Sequence, residues 1–465
     1  MIVMKFGGTS NKDAEAMSNV IRIVSEHRAE APFVVISAIA NATNELEHAA
    51  RNAATGDGAS SVHILDALLR RHQEIARVLI HDSTRASEVR AAFDGYLSEL
   101  KTLVQGVSIL RELTARTMDA FCSYGERFSS RLIAAGLQEA GLRAAWIDAK
   151  EFMVTDANFG RAMPVMEVVR ERLERIARPL IGSGTIPVTQ GFIGVTETGA
   201  YTTMGRESSD FSASIIGAAM DAQRVQIWTD VDGMLTADPR MVPDVRKVKC
   251  ISFEEAFELS YFGAKVLHPN TMLPLLEKNI PLEIRNSRRK EGTGTRIERS
   301  LGDGRAEAVV KSIAFAPEVT LITVRPRKRI NQYLFWEGAF SVLSRCGVEA
   351  RSATTSEYRM AFTVDGRVDA EHLRVELEQF GEVELIGEQG SICLVGSGLR
   401  QSAGILNRVF NALSDARISL VALGGSDLSV TVVLDRRQLA GSLKALHKEF
   451  FQSGRNSDVF DVPLN

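Results

Sequence analysis

The sequence predicts an α/β protein: a layered domain around a largely parallel sheet, followed by a smaller α+β unit that occurs twice. Three observations carry this reading. Short apolar, strand-like runs recur at 1–6, 33–37, 144–147, 186–193, 224–229 and 281–285, and helical patterns separate most of them; that alternation builds a βαβ layer. Residues 45–140 read as helix almost throughout, with neither proline nor strand signal between Asn44 and Leu142. Beyond residue 300, two strand–helix–strand cycles of about 70 residues each follow one another. A chain of 465 residues is too long for one hydrophobic core, so two or three domains are expected.

Taken in order, the run 1–6 reads as a buried strand that meets Gly7-Gly8 at once. The helical stretch 45–140 reads as an insertion on the layered domain. The strand 186–193 leads through a polar turn into an apolar helix over 213–220. A segment rich in charge and glycine, 286–294, closes the first domain near residue 300. Strands are then expected at 309–315, 319–324 and 359–364, with a helix over 335–346. The second cycle places strands at 391–395, 419–423 and 429–434, and helices over 405–416 and 438–451.

Composition narrows the function. Apolar residues make up 45% and charged residues 24%, an ordinary globular profile. A formal charge of −3 argues against a nucleic-acid or anionic-membrane partner. Cys122, Cys250, Cys346 and Cys393 are scattered without metal-like spacing, as expected of structural thiols in a reducing compartment. No signal peptide precedes the first strand, and no apolar run approaches the ~20 residues of a membrane helix. A cytoplasmic protein is expected.

The most informative stretch is 202–212, Thr-Thr-Met-Gly-Arg-Glu-Ser-Ser-Asp-Phe-Ser. A polar turn before an apolar helix gathers backbone N–H groups, the Arg206 cation and the Asp210 carboxylate at one helix start, which suits an anion. The bland reading of Asp210 is a helix N-cap. A glycine pair directly after a strand lets backbone amides approach a phosphate, with Lys5 beside it as a point charge; the bland alternative is an ordinary turn and a solvated lysine. Ser37 and Thr43 follow the second strand, where open α/β sheets face their ligands. Glu126 alone reads as a surface carboxylate. His268, before a proline near a helix end, reads as structural.

Lys-Phe-Gly-Gly-Thr-Ser at 5–10, Gly-Arg-x-x-Ser-Asp at 205–210, Trp-Thr-Asp-Val-x-Gly at 228–233 and Phe-Gly-Ala-Lys-Val-Leu-His-Pro at 262–269 occur in that order. Together they resemble the aspartokinases of the amino-acid-kinase superfamily over nearly the whole chain. The resemblance implies a three-layer amino-acid-kinase sandwich over 1–300. It further implies a first ACT domain at 317–390, inserted in a second one made of 301–316 and 391–465. The implied reaction is ATP- and Mg²⁺-dependent phosphorylation of the β-carboxylate of L-aspartate. By resemblance, Lys5 and Asp210 are catalytic. Ser37, Thr43, Glu126, Arg206 and Ser209 hold aspartate, with Glu126 on its ammonium and Arg206 on its carboxylate. Lys5, Gly7, Gly8, Thr229, Asp230, Arg240 and Lys265 hold ATP, and no protein metal site is implied. Thr355, Ser356 and Glu357 lie near the effector site of lysine-sensitive relatives. A regulatory amino acid and a homo-oligomer, dimer or tetramer, are the expected partners.

The chain departs from the family pattern at three places. Glu207 and Ser208 stand where relatives often have glycine, and Leu235 where many carry a tyrosine against the adenine. Arg351 replaces an acid that pairs with a lysine effector, which disfavours lysine by like-charge repulsion. Two competing functions remain at this point: another carboxylate kinase of the same fold, and an inactive amino-acid sensor. The Arg206/Glu126 pair argues against the first, and intact Lys5, Asp210 and Lys265 against the second.

Overall fold

The computed structural model describes all residues except 206–207, 263–266, 290–291, 293, 300–308, 329–330, 357, 424, 453–458 and 464–465. The chain packs as two compact units, one of residues 1–233 and 267–299, the other of 234–266 and 300–465.

In the first unit, seven strands lie in the order Ala144–Trp146, Ile186–Gln190, Pro32–Ile36, Ile2–Phe6, Val225–Thr229, Leu282–Asn286 and Thr295–Glu298. Every neighbouring pair is parallel except the last. The first strand is buried along its length, Ile-Val-Met-Lys-Phe, as a strand covered on both faces must be. The expected helical layer is present as Ala42–Ala54, Gly58–Leu79, Ser83–Leu110, Ala115–Cys122 and Tyr124–Glu139. Asp57, Asp82 and Thr114 cap three of these helices with side-chain oxygens. Their apolar stripes, including Leu46, Leu65, Phe93, Phe121 and Phe128, join the sheet in one core.

Several sequence expectations shift. The strand expected over 186–193 stops at Gln190, because Phe192 takes a left-handed backbone, φ +67°. Ile193–Val195 instead starts a small antiparallel hairpin with Tyr201–Thr203. His268-Pro269 begins a helix (Pro269–Lys278) rather than ending one; the His268 ring accepts from the Asn270 amide and proline takes the first helical position. Thr295–Glu298, directly after the charged, glycine-rich segment 286–294, is a strand that the sequence did not suggest.

The second unit is built on a six-stranded antiparallel sheet, ordered Ser352–Ser356, Arg359–Asp365, Val309–Arg325, Glu382–Ser397, Ser429–Asp435 and Ile418–Leu423. Helices Gln332–Arg345, Ala370–Leu377, Ala403–Ala412 and Leu439–His447 accompany it. The strands expected at 309–315 and 319–324 are one strand of 17 residues. It changes register between Ala316 and Val319, around Pro317, where a missing N–H is tolerated at a bulge. Its first part pairs with Ser391–Ser397, and its second part with Glu382–Gln389 on one side and Met360–Asp365 on the other. Arg246–Val248 pairs with Phe460–Pro463 in the same unit.

Candidate active site

The first strand sits between Pro32–Ile36 and Val225–Thr229, with Phe6 in register with both Ile36 and Trp228. Gly7 therefore leaves the sheet between Ser37 and Thr229, at carboxyl ends of parallel strands where such sheets bind ligands. The Gly7 amide donates to Trp228 O at 3.1 Å, so Gly7 is not a phosphate donor through its N–H as the sequence suggested. A Cβ there would lie 3.6 Å from both Lys5 Nζ and Trp228 O, an ordinary contact distance, so space alone does not demand glycine at this position. A Cβ on Gly8 would lie 2.9 Å from Ala38 O, so only glycine fits where the two loops meet.

Lys5 is buried, and its ammonium lies 2.5 Å from Asp210 Oδ1. Asp210 is the second residue of the helix Ser209–Ala219 and lies in its first turn; the N-cap is Ser208. The capping alternative for Asp210 thus gives way to a carboxylate held on Lys5. Ser209 is buried behind Gly191, where a Cβ would come within 2.9 Å of Ser209 Cα. The Phe192 amide donates to Ser212 Oγ at 2.8 Å, fixing the same helix start to the end of the strand Ile186–Gln190.

Glu126 is no surface carboxylate. It is 4% exposed, and its Oε1 accepts from the Ala38 amide at 3.1 Å while Oε2 is buried without a partner among the described residues. Burial pushes its carboxyl up to about 8, against the Ala38 amide, its own amide and the nearby Lys5 charge, which favour the anion. A buried, perturbed acid beside a lysine–carboxylate pair makes Glu126 a candidate site residue. Thr43 lies close by, 3.8 Å from where a Gly125 Cβ would stand. Ser37 is held through its carbonyl, which accepts from Ser129 Oγ at 2.8 Å. Thr229 O accepts from the Ser287 amide at 2.7 Å, and Asp230 lies 3.8 Å from Arg288.

The structure thus brings together Lys5, Gly7, Gly8, Glu126 and Asp210, with Ser37, Thr43, Ser209, Thr229 and Asp230 at the same strand and helix ends. Arg206, Lys265 and Glu357 lie outside the described residues. Arg240 belongs to the second unit, where its 83%-exposed side chain pairs with Asp238 at 2.6 Å. Thr355 and Ser356 are exposed on the edge strand Ser352–Ser356. Arg351 is not a free cation: it pairs with Asp365 at 2.9 Å, and Asp365 is also held by Arg367, whose hydrogen bond keeps its carboxyl below the usual range. Among the described residues no group of three His, Cys, Asp or Glu could hold a metal ion, and no helix is long and apolar enough to cross a membrane.

Sequence reasoning missed three residues here. Asn11, fully buried, donates its amide to the carbonyls of Phe6, Gly7 and Ser37 at 3.0–3.4 Å and so ties the two loops together. Phe192 carries the left-handed backbone, a conformation that functional sites retain. Asp119 is the third. Only the glycine before Phe192 gave any local signal.

Comparison with known proteins agrees with this geometry. Residues 1–286 match the amino acid kinase family and residues 392–450 the ACT domain. The chain is 31% identical to chloroplastic aspartokinase 1 of Arabidopsis thaliana, covering 99% of this chain and 82% of that one. It is 30% identical to the lysine-sensitive aspartokinase 3 of Escherichia coli K12, covering 97% and 99%. The crystal structure of E. coli aspartokinase III with aspartate and ADP, in the R-state, matches with a TM-score of 0.82 at 29% identity over 97% of this chain and all of that one. The T-state of the same enzyme, with lysine and aspartate, matches with a TM-score of 0.80. The match of 1–286 to the amino acid kinase family, the ACT homology and the likeness to these enzymes over nearly the whole chain mean that this chain belongs to the amino acid kinase family and, within it, to the aspartokinases.

Proposed function

We propose that the chain transfers the γ-phosphoryl group of ATP to the β-carboxylate of L-aspartate, giving 4-phospho-L-aspartate and ADP under amino-acid control. The observation that carries this is the buried cluster of Lys5, Asp210 and Glu126 at the end of the first strand. A carboxylate oxygen of aspartate attacks the γ-phosphorus while the bond from that phosphorus to the β–γ bridging oxygen breaks, and ADP leaves with the electron pair. The nucleophile is already ionised, so no base is needed; the protein supplies position and charge. Lys5 neutralises the moving phosphoryl group, and Asp210 holds Lys5 in place. Glu126 receives the aspartate ammonium, and Ser37, Thr43 and Ser209 offer hydroxyls. Arg206 supplies a fork for a carboxylate. Thr229, Asp230, Arg240 and Lys265 serve the nucleotide.

The residues fit a Mg²⁺ that arrives on the nucleotide, since such an ion uses one or two carboxylates beside the phosphates and Asp210 offers one. When bound, Mg²⁺ screens the phosphate charge. The domain limits we favour are 1–300, 317–390 and 301–316 with 391–465, supported by the division of the strand Val309–Arg325 between two sets of partners. An effector amino acid near Thr355 and Ser356, a homo-oligomer and a reducing, cytoplasm-like compartment complete the proposal; no disulfide joins the four cysteines.

A coupled assay of ADP release tests the reaction. Turnover with aspartate and none with glutamate is the expected result; equal turnover with both would overturn it. Arg206→Lys should raise the KM for aspartate far more than that for ATP, because lysine cannot reproduce a two-point grip. An effect confined to ATP would move Arg206 to the nucleotide side. Repeating the assay with lysine and threonine identifies the effector.

A further inference from the structure

We propose that Asp119 is a positioning residue that sets the distance between the two sides of the aspartate site, the helix that bears Glu126 and the strand that leads toward Ser209 and Asp210. It rests on the reading above, that these two sides hold the ends of one substrate.

Asp119 lies in the helix Ala115–Cys122 and is 3% exposed. Its Oδ2 accepts from the Gly160 amide at 2.8 Å and the Thr203 amide at 2.9 Å, and its Oδ1 accepts from Thr203 Oγ1 at 2.7 Å. Among the described residues it has no cationic partner. Burial pushes its carboxyl above the ordinary range, while these three bonds favour the anion. Three donors from two separate chain segments therefore converge on one carboxylate. The two amides on Oδ2 require an acceptor there; an amide side chain could keep its oxygen on them only by turning its N–H₂ to the Thr203 hydroxyl, and it would lose the negative charge that strengthens all three bonds.

What the carboxylate grips is the last residue of the strand Tyr201–Thr203, directly before Met204 and Gly205 on the chain's way to Ser209 and Asp210. The same Thr203 gives its carbonyl to the Ala162 amide at 2.9 Å. The Met204 amide goes to Phe192 O at 3.0 Å. Ser209, at the start of the following helix, is held independently against Gly191. On its own side, the Asp119 helix runs through Ser123 into Tyr124–Glu139, the helix that carries Glu126. Arg127, next to Glu126, lies 5.2 Å from the ring centre of Tyr201 at the other end of the gripped strand. Asp119 is thus the hydrogen-bonded link between the helix pair that bears Glu126 and the strand that leads toward Ser209 and Asp210. Displacing a positioned group by a fraction of an ångström weakens substrate grip before it alters the phosphoryl site.

The test is Asp119→Asn together with Thr203→Val and Thr203→Ser in the full-length chain. Asp119→Asn should raise the KM for aspartate about 10-fold or more, the scale of losing a charge-assisted hydrogen bond, and leave the KM for ATP within about 2-fold. Thr203→Val should act in the same direction, and Thr203→Ser, which restores the hydroxyl, should return the KM toward wild type. Because the two residues act as one unit, the double variant that combines Asp119→Asn with Thr203→Val should be no worse than the poorer single one. Equal rises in both KM values, additive effects or a wild-type-like Asp119→Asn would each overturn the proposal. If Asp119→Asn does not fold, the two substitutions of Thr203 decide alone: no difference between Thr203→Val and Thr203→Ser refutes it. The wild-type preference for aspartate over glutamate tests the underlying reaction separately, before any variant is made.

Discussion

At the scale of single residues, the site is two ion-pairing problems solved in one buried place. Lys5 has its countercharge in Asp210, whereas for Glu126 burial outweighs the nearby Lys5 charge and the carboxyl keeps its proton. Lys5→Ala should therefore leave the fold intact and cost about 10²–10³ in kcat, the usual loss for one transition-state donor; a folded variant with near-normal turnover would remove Lys5 from the mechanism. Glu126 makes a pH prediction with a definite sign. Its carboxyl stands at about 8 in the folded chain against an ordinary 4.5, so between those values the folded chain holds a proton that the unfolded chain has lost. Its contribution to stability is full below 4.5 and declines as pH rises through about 8. Glu126→Gln should flatten that decline, which thermal unfolding at pH 5 and pH 8 measures. If the substrate ammonium meets Glu126, aspartate binding at pH 7 should expel about one proton. Calorimetry in buffers of different ionisation enthalpy reads this directly, and no buffer dependence in the wild type would separate Glu126 from the ammonium. Lys5 and Asp210 were legible in the sequence because each sits at a glycine- or polar-marked element end. Asp119 and Asn11 were not, since nothing in a linear pattern says which polar side chain will be buried among distant carbonyls and amides.

At the scale of elements, the alternation of strands with helices and the helical layer followed from apolar periodicity, and the failures have physical causes. Pro317 splits one 17-residue strand into two apparent ones because its missing N–H falls at a register shift rather than at an end. Ser352–Ser356, Ser-Ala-Thr-Thr-Ser, lacks the apolar alternation of a strand and forms one as the sheet's edge, paired on one side. The helix Ala370–Leu377 is short and mostly polar, with Leu373 and Leu377 alone buried. The approach of loops is where one atom decides. Gly8→Ala would place a methyl 2.9 Å from Ala38 O, a backbone atom whose own residue gives its amide to Glu126. One of the two loops must move, so kcat/KM should fall by about 10² or more while the melting temperature changes little. Gly141→Ala, with no atom within 4 Å of the added carbon but a φ of +79°, separates space from backbone strain. A Gly8→Ala enzyme as active as wild type would mean that the loops do not meet as described.

At the scale of the whole molecule, sequence composition places a boundary near residue 300, whereas packing gives residues 234–266 to the C-terminal unit. The bonds are specific. The Ile313 amide donates to Thr236 O at 2.8 Å, Ser312 Oγ donates to Leu235 O at 2.7 Å, and Thr236 Oγ1 meets His447 Nε2 at 2.9 Å. Lys311 and Glu255 form an ion pair at 2.5 Å, their side chains 4% and 1% exposed. Such long-range pairings could not be read from the sequence, because each partner is locally an ordinary strand or helix residue. Their consequence concerns any attempt to isolate the kinase layer. A chain cut at residue 299 keeps Glu255 but loses Lys311, and burying a carboxylate without its cation costs about 3–5 kcal/mol. Such a fragment should expose 234–266 and aggregate or lose nucleotide binding, rather than remain a soluble, unregulated kinase. The same logic can be tested without cutting the chain. Lys311→Met should destabilise the C-terminal unit by about 3–5 kcal/mol, and adding Glu255→Met should recover most of that loss, since a buried ion pair replaced by apolar groups is close to neutral. Denaturant unfolding of the two variants decides the matter: a double variant no more stable than Lys311→Met would show that the pair is not what joins the segment to that unit.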